Sequence, residues 1–252
     1  MSFSCLVESS AANVVSDLPG KHFALKLVSK SDFTMIVPSN DEIIGRFIQS
    51  SGTYDVEERD FLLSLINPGS IVVEVGANVG PYSVYLADRL GSAGKLFCFE
   101  PFRLLYQVLT ANVALNGLSN VVTINSAVGD WPPRDMEAEG PDFNHADNYG
   151  ASTLLDPIHR TWILSHPVKE RIHILPLDSY FFGTVKIDMI KIDAEGMERD
   201  VLKGARATLK KFRPLLYIEN SESLFKEWMK TEFEYDCYRP SSLIVHNIVI
   251  CT

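Results

Sequence analysis

Between Ile71 and Ile218, short runs of consecutive apolar residues alternate with stretches in which apolar positions recur every three or four residues. The runs at Ile71–Val75, Lys95–Phe99, Val121–Asn125, Ile172–Leu175, Met189–Ile192 and Leu215–Ile218 hold too few polar positions for a strand with one wet face. They predict strands covered on both sides. Helical spacing predicts helices from about Pro81 to Leu90, Phe102 to Asn116 and Met197 to Lys211, with Gly91–Gly94 ending the first and Gly117 the second. Strands alternating with helices of this length imply a mostly parallel sheet between two helical layers. The expected architecture is a doubly wound three-layer α/β sandwich, with Leu243–Ile250 as an antiparallel strand finishing the sheet.

Before the Pro68–Gly69 turn the pattern is weaker. Phe23–Val37 alternates loosely, and Glu57–Ile66 has helical spacing with Phe61, Leu62, Leu65 and Ile66 on one side. Residues 1–67 are therefore read as an N-terminal appendage packed on a catalytic domain of residues 68–252. Trp131–Gly150 carries Pro132, Pro133 and Pro141 among acidic residues and reads as a long surface loop.

Composition narrows the function. A chain that is 46% hydrophobic and 22% charged is that of a globular protein rather than a disordered one. The formal charge of -9 sets a field that repels phosphate backbones, so nucleic acid is not an expected partner. The four cysteines, Cys5, Cys98, Cys237 and Cys251, include no C-x-x-C pair, and suggest neither a zinc site nor a disulfide framework; a reducing compartment is expected. No basic-then-apolar leader opens the sequence and no apolar run approaches the ~20 residues that span a bilayer. The expectation is a cytoplasmic protein without a membrane span.

In open α/β sheets, ligands sit at the carboxyl ends of the strands, near the point where strand order reverses. The first strand-to-helix loop reads Glu74-Val75-Gly76-Ala77-Asn78-Val79-Gly80. Its glycines permit close backbone approach, and Glu74 would repel a pyrophosphate, which a dinucleotide loop of the G-x-G-x-x-G type holds on a helix N-terminus. S-adenosylmethionine, whose ammonium and sulfonium are positive, fits better. Gly76, Asn78, Gly80 and Tyr82 are assigned to its side of the site. Glu100, followed by Pro101 at the end of the second strand, is placed to take both ribose hydroxyls. Ser126, Ala127 and Val128, after the third strand, are small enough to lie beside the adenine.

Together with Lys191-Ile192-Asp193-Ala194-Glu195-Gly196-Met197-Glu198, these residues resemble the FkbM family of S-adenosylmethionine-dependent methyltransferases. The resemblance covers about Phe33 to Asn220 and includes, in order, Pro68-Gly69, Glu74–Gly80, Phe99-Glu100-Pro101, Asn112–Asn116, Ala127–Gly129, Lys191–Glu198 and Ile218-Glu219-Asn220. It implies a class I methyltransferase fold, Rossmann-like, and commonly O-methylation of sugars or natural products. Gly150–Leu154 looks like a further family block, which brings Ser152 toward the acceptor; Trp131–Asp147 has no matching block.

Methyl transfer to a hydroxyl requires that the acceptor be aligned and its proton removed. Asp193, at the end of its strand, is the expected base or acceptor-positioning group. Lys191, two residues earlier and so on the same side of the strand, is its expected partner. Glu195 and Glu219 stand at neighbouring strand ends, where they are assigned to the acceptor. With Asp193 they could also hold a divalent cation, a reading not favoured because no D-x-D spacing is present. Among six histidines, His145 in the acidic loop is the alternative base, while His22, His159, His166, His173 and His246 are expected to be surface or packed residues. Phe143, Tyr149 and Trp162 could stack on a sugar or simply pack. The expected partner is a small-molecule or glycan acceptor. An N-methyltransferase for protein or another amine is the alternative, against which stands the missing N-P-P-Y block. A module that has lost its chemistry and a nicotinamide-dependent oxidoreductase are weaker alternatives.

Overall fold

The computed structural model describes residues 14–18, 20, 23–30, 32–154, 164–181, 186–220, 222–241 and 247–252. The chain begins with strands β1 (Val14–Leu18), β2 (Leu25–Ser29) and β3 (Thr34–Pro38), which form an antiparallel sheet, followed by helices α1 (Ile44–Ser51) and α2 (Val56–Ser64). Asp55 caps α2, its carboxylate accepting the Glu58 N–H at 3.1 Å.

The predicted alternation follows: β4 (Ile71–Val75), α3 (Ser83–Leu90), β5 (Lys95–Phe99), α4 (Arg103–Leu115) and β6 (Val121–Ile124). Next come β7 (Ala127–Val128), β8 (Arg134–Pro141), β9 (Pro167–Leu175), α5 (Leu177–Phe181), β10 (Met189–Ile192), α6 (Glu198–Gly204) and α7 (Arg206–Phe212). The chain closes with β11 (Leu215–Glu219), α8 (Phe225–Phe233), β12 (Cys237–Tyr238) and β13 (Ile248–Cys251). The central sheet has the order β12-β13-β11-β10-β4-β5-β6. Strands β11, β10, β4, β5 and β6 run parallel, and β13 runs antiparallel to β11, the direction expected of the strand read over Leu243–Ile250; β13 itself is Ile248–Cys251, and residues 243–246 lie outside the described residues. The chain starts this sheet in the middle, at β4, builds outward through β5 and β6, then returns to the other side through β10. The reversal lies between β4 and β10.

Each face of the sheet buries its own apolar set. Val73, Ile190, Ile192, Leu216 and Ile218 pack with Val201, Leu202, Leu209, Phe225 and Met229 of α6, α7 and α8. Val72, Leu96, Met189 and Tyr217 pack with Leu62, Leu86, Leu90 and Leu109 on the other side. Strands buried on both faces are why the sequence shows runs rather than alternation.

Three expectations are corrected. The segment read as a long loop contains β8, which pairs antiparallel with β9 over eight residues, from Arg134 opposite Ile174 to Pro141 opposite Pro167. Its outer side is acidic because it meets basic partners: Lys169 lies 2.6 Å from Glu137, and Arg171 and His173 lie 2.7 and 2.8 Å from Asp135. Acids and prolines looked like loop composition because their cross-strand partners are distant in sequence. The single helix expected over Met197–Lys211 is two, α6 and α7. Asp178 takes the Ala207 and Thr208 N–H groups at 2.6 and 2.8 Å, capping a new helix, and a Cβ on Gly204 would lie 2.0 Å from the Gly129 carbonyl oxygen. Finally, Cys237 and Cys251, opposite one another on β12 and β13, form a disulfide. Their separation of 14 residues gave no pairing signal, and the bond removes the cysteine argument for a reducing compartment.

Candidate active site

A cavity of about 190 Å³ opens at the carboxyl ends of β4, β5, β10 and β11. Its floor at one end is the loop after β4. Gly76, at φ +80, can approach the β10 loop only because it lacks a side chain: a Cβ there would lie 1.8 Å from the Asp193 carbonyl oxygen. The Gly76 and Ala77 N–H groups both donate to the Phe99 carbonyl at 3.0 Å, tying this loop to the end of β5. Asn78 also takes a left-handed conformation and donates its N–H to Glu100 Oε2 at 2.9 Å; the Phe102 N–H donates to Oε1 at the same distance. Glu100 lines the cavity yet is only 3% exposed, and burial pushes its carboxyl up to about 8 against the downward pull of those two N–H groups. Tyr82, Pro101, Ser126, Ala127 and Val128 also line this end. The Ser126 hydroxyl is turned toward the His173 and Ala127 carbonyls, at 2.8 and 2.9 Å, so what it offers the cavity is small size.

Two members of the expected cofactor set are elsewhere. Glu74 does not line the cavity; it is fully buried beneath it, its Oε2 accepting the Ser83 hydroxyl at 2.5 Å. Gly80 supplies the left-handed turn into α3, where a Cβ would lie 2.9 Å from Leu109, and it too is off the cavity wall.

The other end of the cavity is acidic. Asp193, Glu195, Glu219 and Glu58 line it around Lys191, whose Nζ lies 3.4 Å from Asp193 Oδ2. The Lys191 side chain is 2% exposed and that of Asp193 31%, so the carboxylate presents itself to the cavity while the ammonium holds it from beneath. The β10–α6 turn depends on a left-handed Glu195 (φ 45) and on Glu198, whose carboxylate accepts the Gly196 and Ala194 N–H groups at 2.9 and 3.3 Å. Recession of the Glu195 carboxyl into the wall, and then Asp193, push it up to about 8. The same two causes raise Glu219, whose remaining contact with water screens the effect. Ser152 and Thr153 stand across from this turn; Ser152 donates to the Tyr149 carbonyl at 2.8 Å and Thr153 to the Glu195 carbonyl at 2.6 Å.

The alternative base, His145, is not on the cavity wall. It stands in an exposed loop, 3.2 Å from Asp142 and stacked on His166 at 3.9 Å between ring centres. His173 pairs with Asp135 on the outer face of β9. Phe143 and Tyr149 are buried and stacked on one another 5.0 Å apart, Tyr149 alone of the two reaching the wall. Trp162, His22, His159 and His246 lie outside the described residues. Among the described residues, no cluster of three or more His, Cys, Asp or Glu side chains is arranged to hold a metal ion, and no helix is long and apolar enough to cross a membrane.

The sequence reading missed the contribution from before β4: Ile43, Ile44, Tyr54 and Glu58 all line the cavity. Glu58 carried a signal, being an acid four residues before Leu62 and so on the same face of α2, where both are buried.

The methyltransferase FkbM domain matches residues 74–237. Among curated proteins the chain is 28% identical over 165 residues to methyltransferase sdnD of Sordaria araneosa, covering 53% of this chain and 59% of that protein. It is also 28% identical over 191 residues to the AMB antimetabolite synthetase AmbE of Pseudomonas aeruginosa, covering 64% of this chain and 9% of that protein. The matches thus span less than two thirds of these relatives' length. Among solved structures, a methyltransferase FkbM from Methylobacillus flagellatus is similar at 17% identity and a TM-score of 0.49, covering 74% of this chain and 44% of that one. Because the domain match takes in both the glycine loop and the Lys191–Glu198 segment that meet across the cavity, this chain belongs to the FkbM methyltransferase family.

Proposed function

We propose that this chain is an S-adenosylmethionine-dependent O-methyltransferase acting on a hydroxyl of a sugar, glycan or other hydroxylated small molecule. The observation that carries the reading is the joining, in one cavity, of a glycine-cradled loop with a buried carboxylate, Glu100, and of an Asp193–Lys191 pair at the far end. The Gly76 loop, which lines the cavity and packs on the Asp193 backbone because it has no Cβ, and the Glu100 carboxylate fit an adenosyl cofactor, with Glu100 accepting from ribose hydroxyls and Ala127 and Val128 flanking the base. When bound, the cofactor supplies an electrophilic methyl group on a sulfonium. Asp193 Oδ accepts the proton of the acceptor hydroxyl, and Lys191 keeps that carboxylate oriented toward the cavity. Glu195 and Glu219, protonated or hydrogen-bonding at neutral pH, grip neighbouring hydroxyls.

Calorimetric titration with S-adenosylhomocysteine tests the cofactor, with binding expected for the wild type and lost in Glu100→Ala. A screen of sugars, phenols and amines, scored by S-adenosylhomocysteine release, then tests the acceptor. Turnover of hydroxyl acceptors that disappears in Asp193→Asn while cofactor binding persists supports the reading; turnover of amines alone would replace it with N-methylation. No binding to the wild type overturns it.

A further inference from the structure

We propose that Glu74 is a positioning residue that acts on Asp193 through Lys191, and that it does not touch the cofactor. The proposal rests on the methyltransferase reading only for the role of Asp193.

Glu74 on β4 and Lys191 on β10 are direct cross-strand partners, so both side chains leave the sheet on the same face, and Asp193 follows two residues later on that face. The ammonium is shared by the two carboxylates. Lys191 Nζ lies 3.9 Å from Glu74 Oε1 and 3.4 Å from Asp193 Oδ2. Glu74 is itself anchored: Oε2 accepts the Ser83 hydroxyl at 2.5 Å and faces the Cys98 thiol at 3.6 Å. Its Oε1 accepts no hydrogen bond although fully buried, so the group it faces is the lysine ammonium. The side chains of Lys191 and Glu74 are 2% and 1% exposed, whereas Asp193 opens to the cavity.

A lysine stem is long and flexible, and an ammonium facing a single carboxylate is drawn onto it. A second, fixed carboxylate within reach competes for the ammonium. Glu74 thereby sets how far Lys191 reaches toward Asp193 and how strongly it holds that carboxylate charged. Burial pushes the Glu74 carboxyl up and Lys191 pulls it back down; burial would lower the lysine, but Asp193 and then Glu74 hold it above its ordinary value. Glu58 from α2 and Glu219 from β11 also face the ammonium, and the Tyr82 ring lies 5.0 Å beneath it. Ser83 on α3 completes a chain from helix to sheet to cavity.

The test uses the full chain with ¹³C-labelled aspartate carboxyls, the Asp193 signal being identified by its loss in Asp193→Asn. Its titration is followed by NMR in wild type, Glu74→Gln, Lys191→Met and the double variant, and each is titrated with S-adenosylhomocysteine. In Glu74→Gln, with one carboxylate fewer competing for Lys191, the Asp193 midpoint is expected to move to lower pH, with cofactor affinity within about twofold of wild type. The midpoint shift is expected to vanish when the same substitution is made on Lys191→Met. Ser83→Ala, which keeps the charge and loosens its anchor, is expected to move the midpoint less, and it serves if Glu74→Gln does not fold. An unmoved midpoint, or the same shift in the absence of Lys191, overturns the proposal. So does a loss of cofactor affinity of about tenfold or more in Glu74→Gln, which would make Glu74 a cofactor ligand. If the wild type binds no cofactor, the functional reading fails while the titration still decides whether Glu74 acts through Lys191.

Discussion

Asn112 on α4 reads the backbone of Ile36 on β3 as a neighbouring strand would, its Oδ1 accepting the Ile36 N–H at 2.6 Å and its Nδ2 donating to the Ile36 carbonyl at 2.9 Å. The same amide nitrogen donates to the Val79 carbonyl at 2.8 Å, so one fully buried side chain joins the N-terminal sheet to the glycine loop. One turn later, Asn116 repeats the arrangement on Thr34, at 2.9 Å from its N–H and 2.7 Å from its carbonyl.

Asn112→Leu keeps the volume and removes all three bonds, leaving buried backbone groups without partners. It is expected to destabilise the fold by about 2–3 kcal/mol, since each orphaned group costs on the order of 1–3 kcal/mol and water recovers part of that. Urea unfolding followed by circular dichroism measures it, and a midpoint equal to wild type would show that the amide bonds contribute nothing net.

Gly76→Ala places a methyl group where the Asp193 carbonyl now sits, at a φ of +80 that L-residues avoid. The β4 and β10 loops must separate, so the variant is expected to lose both stability and S-adenosylhomocysteine binding. Gly91→Ala, with nothing within 4 Å of the new methyl group at a φ of +65, carries the conformational strain without the clash and serves as the control. Equal effects of the two substitutions would exclude the close approach as the cause.

Glu100 titrates at about 8 in the folded chain against 4.5 for a free glutamate. A raised carboxyl favours the protonated native state, so its contribution to stability is present below about 4.5 and is lost as pH rises through about 8. Ribose hydroxyls donating to the carboxylate would favour its ionised form, so cofactor binding near pH 7 is expected to release a proton. Calorimetry in two buffers of different ionisation enthalpy detects the release, which should be absent in Glu100→Gln. Proton uptake by the wild type would contradict this.

The Cys237–Cys251 bond closes a loop of 14 residues and fastens the two-residue edge strand β12 to β13, whose other neighbour β11 ends in Glu219. Replacing both cysteines by serine is expected to lower stability by about 3 kcal/mol, the loop-closure value for this length. Thermal unfolding of the double variant against the oxidised wild type measures it; identical melting would mean that strand pairing alone holds β12.

The sequence by itself determined the parallel strands of the central sheet, β4, β5, β6, β10 and β11, whereas Ile172–Leu175, read as another of them, belongs to the separate β7-β9-β8 sheet and has one exposed face. Apolar runs bounded by Gly76, Gly91 and Gly117 carry their information locally, because a strand buried on both faces and a left-handed turn each demand particular residues in place. That locality put Glu100 and Asp193 at strand ends, and both line the cavity. Only the tertiary structure decided which way Glu74 points, because alternation says which residues share a face but not which face meets the ligand. It also decided that Glu58 and Tyr54 enter the cavity and that β8 pairs with β9. Joining Cys237 to Cys251 and dividing the last long helix were its decisions too. Each of these depends on a partner far away in the chain, and the energy that selects it exists only once the two segments meet.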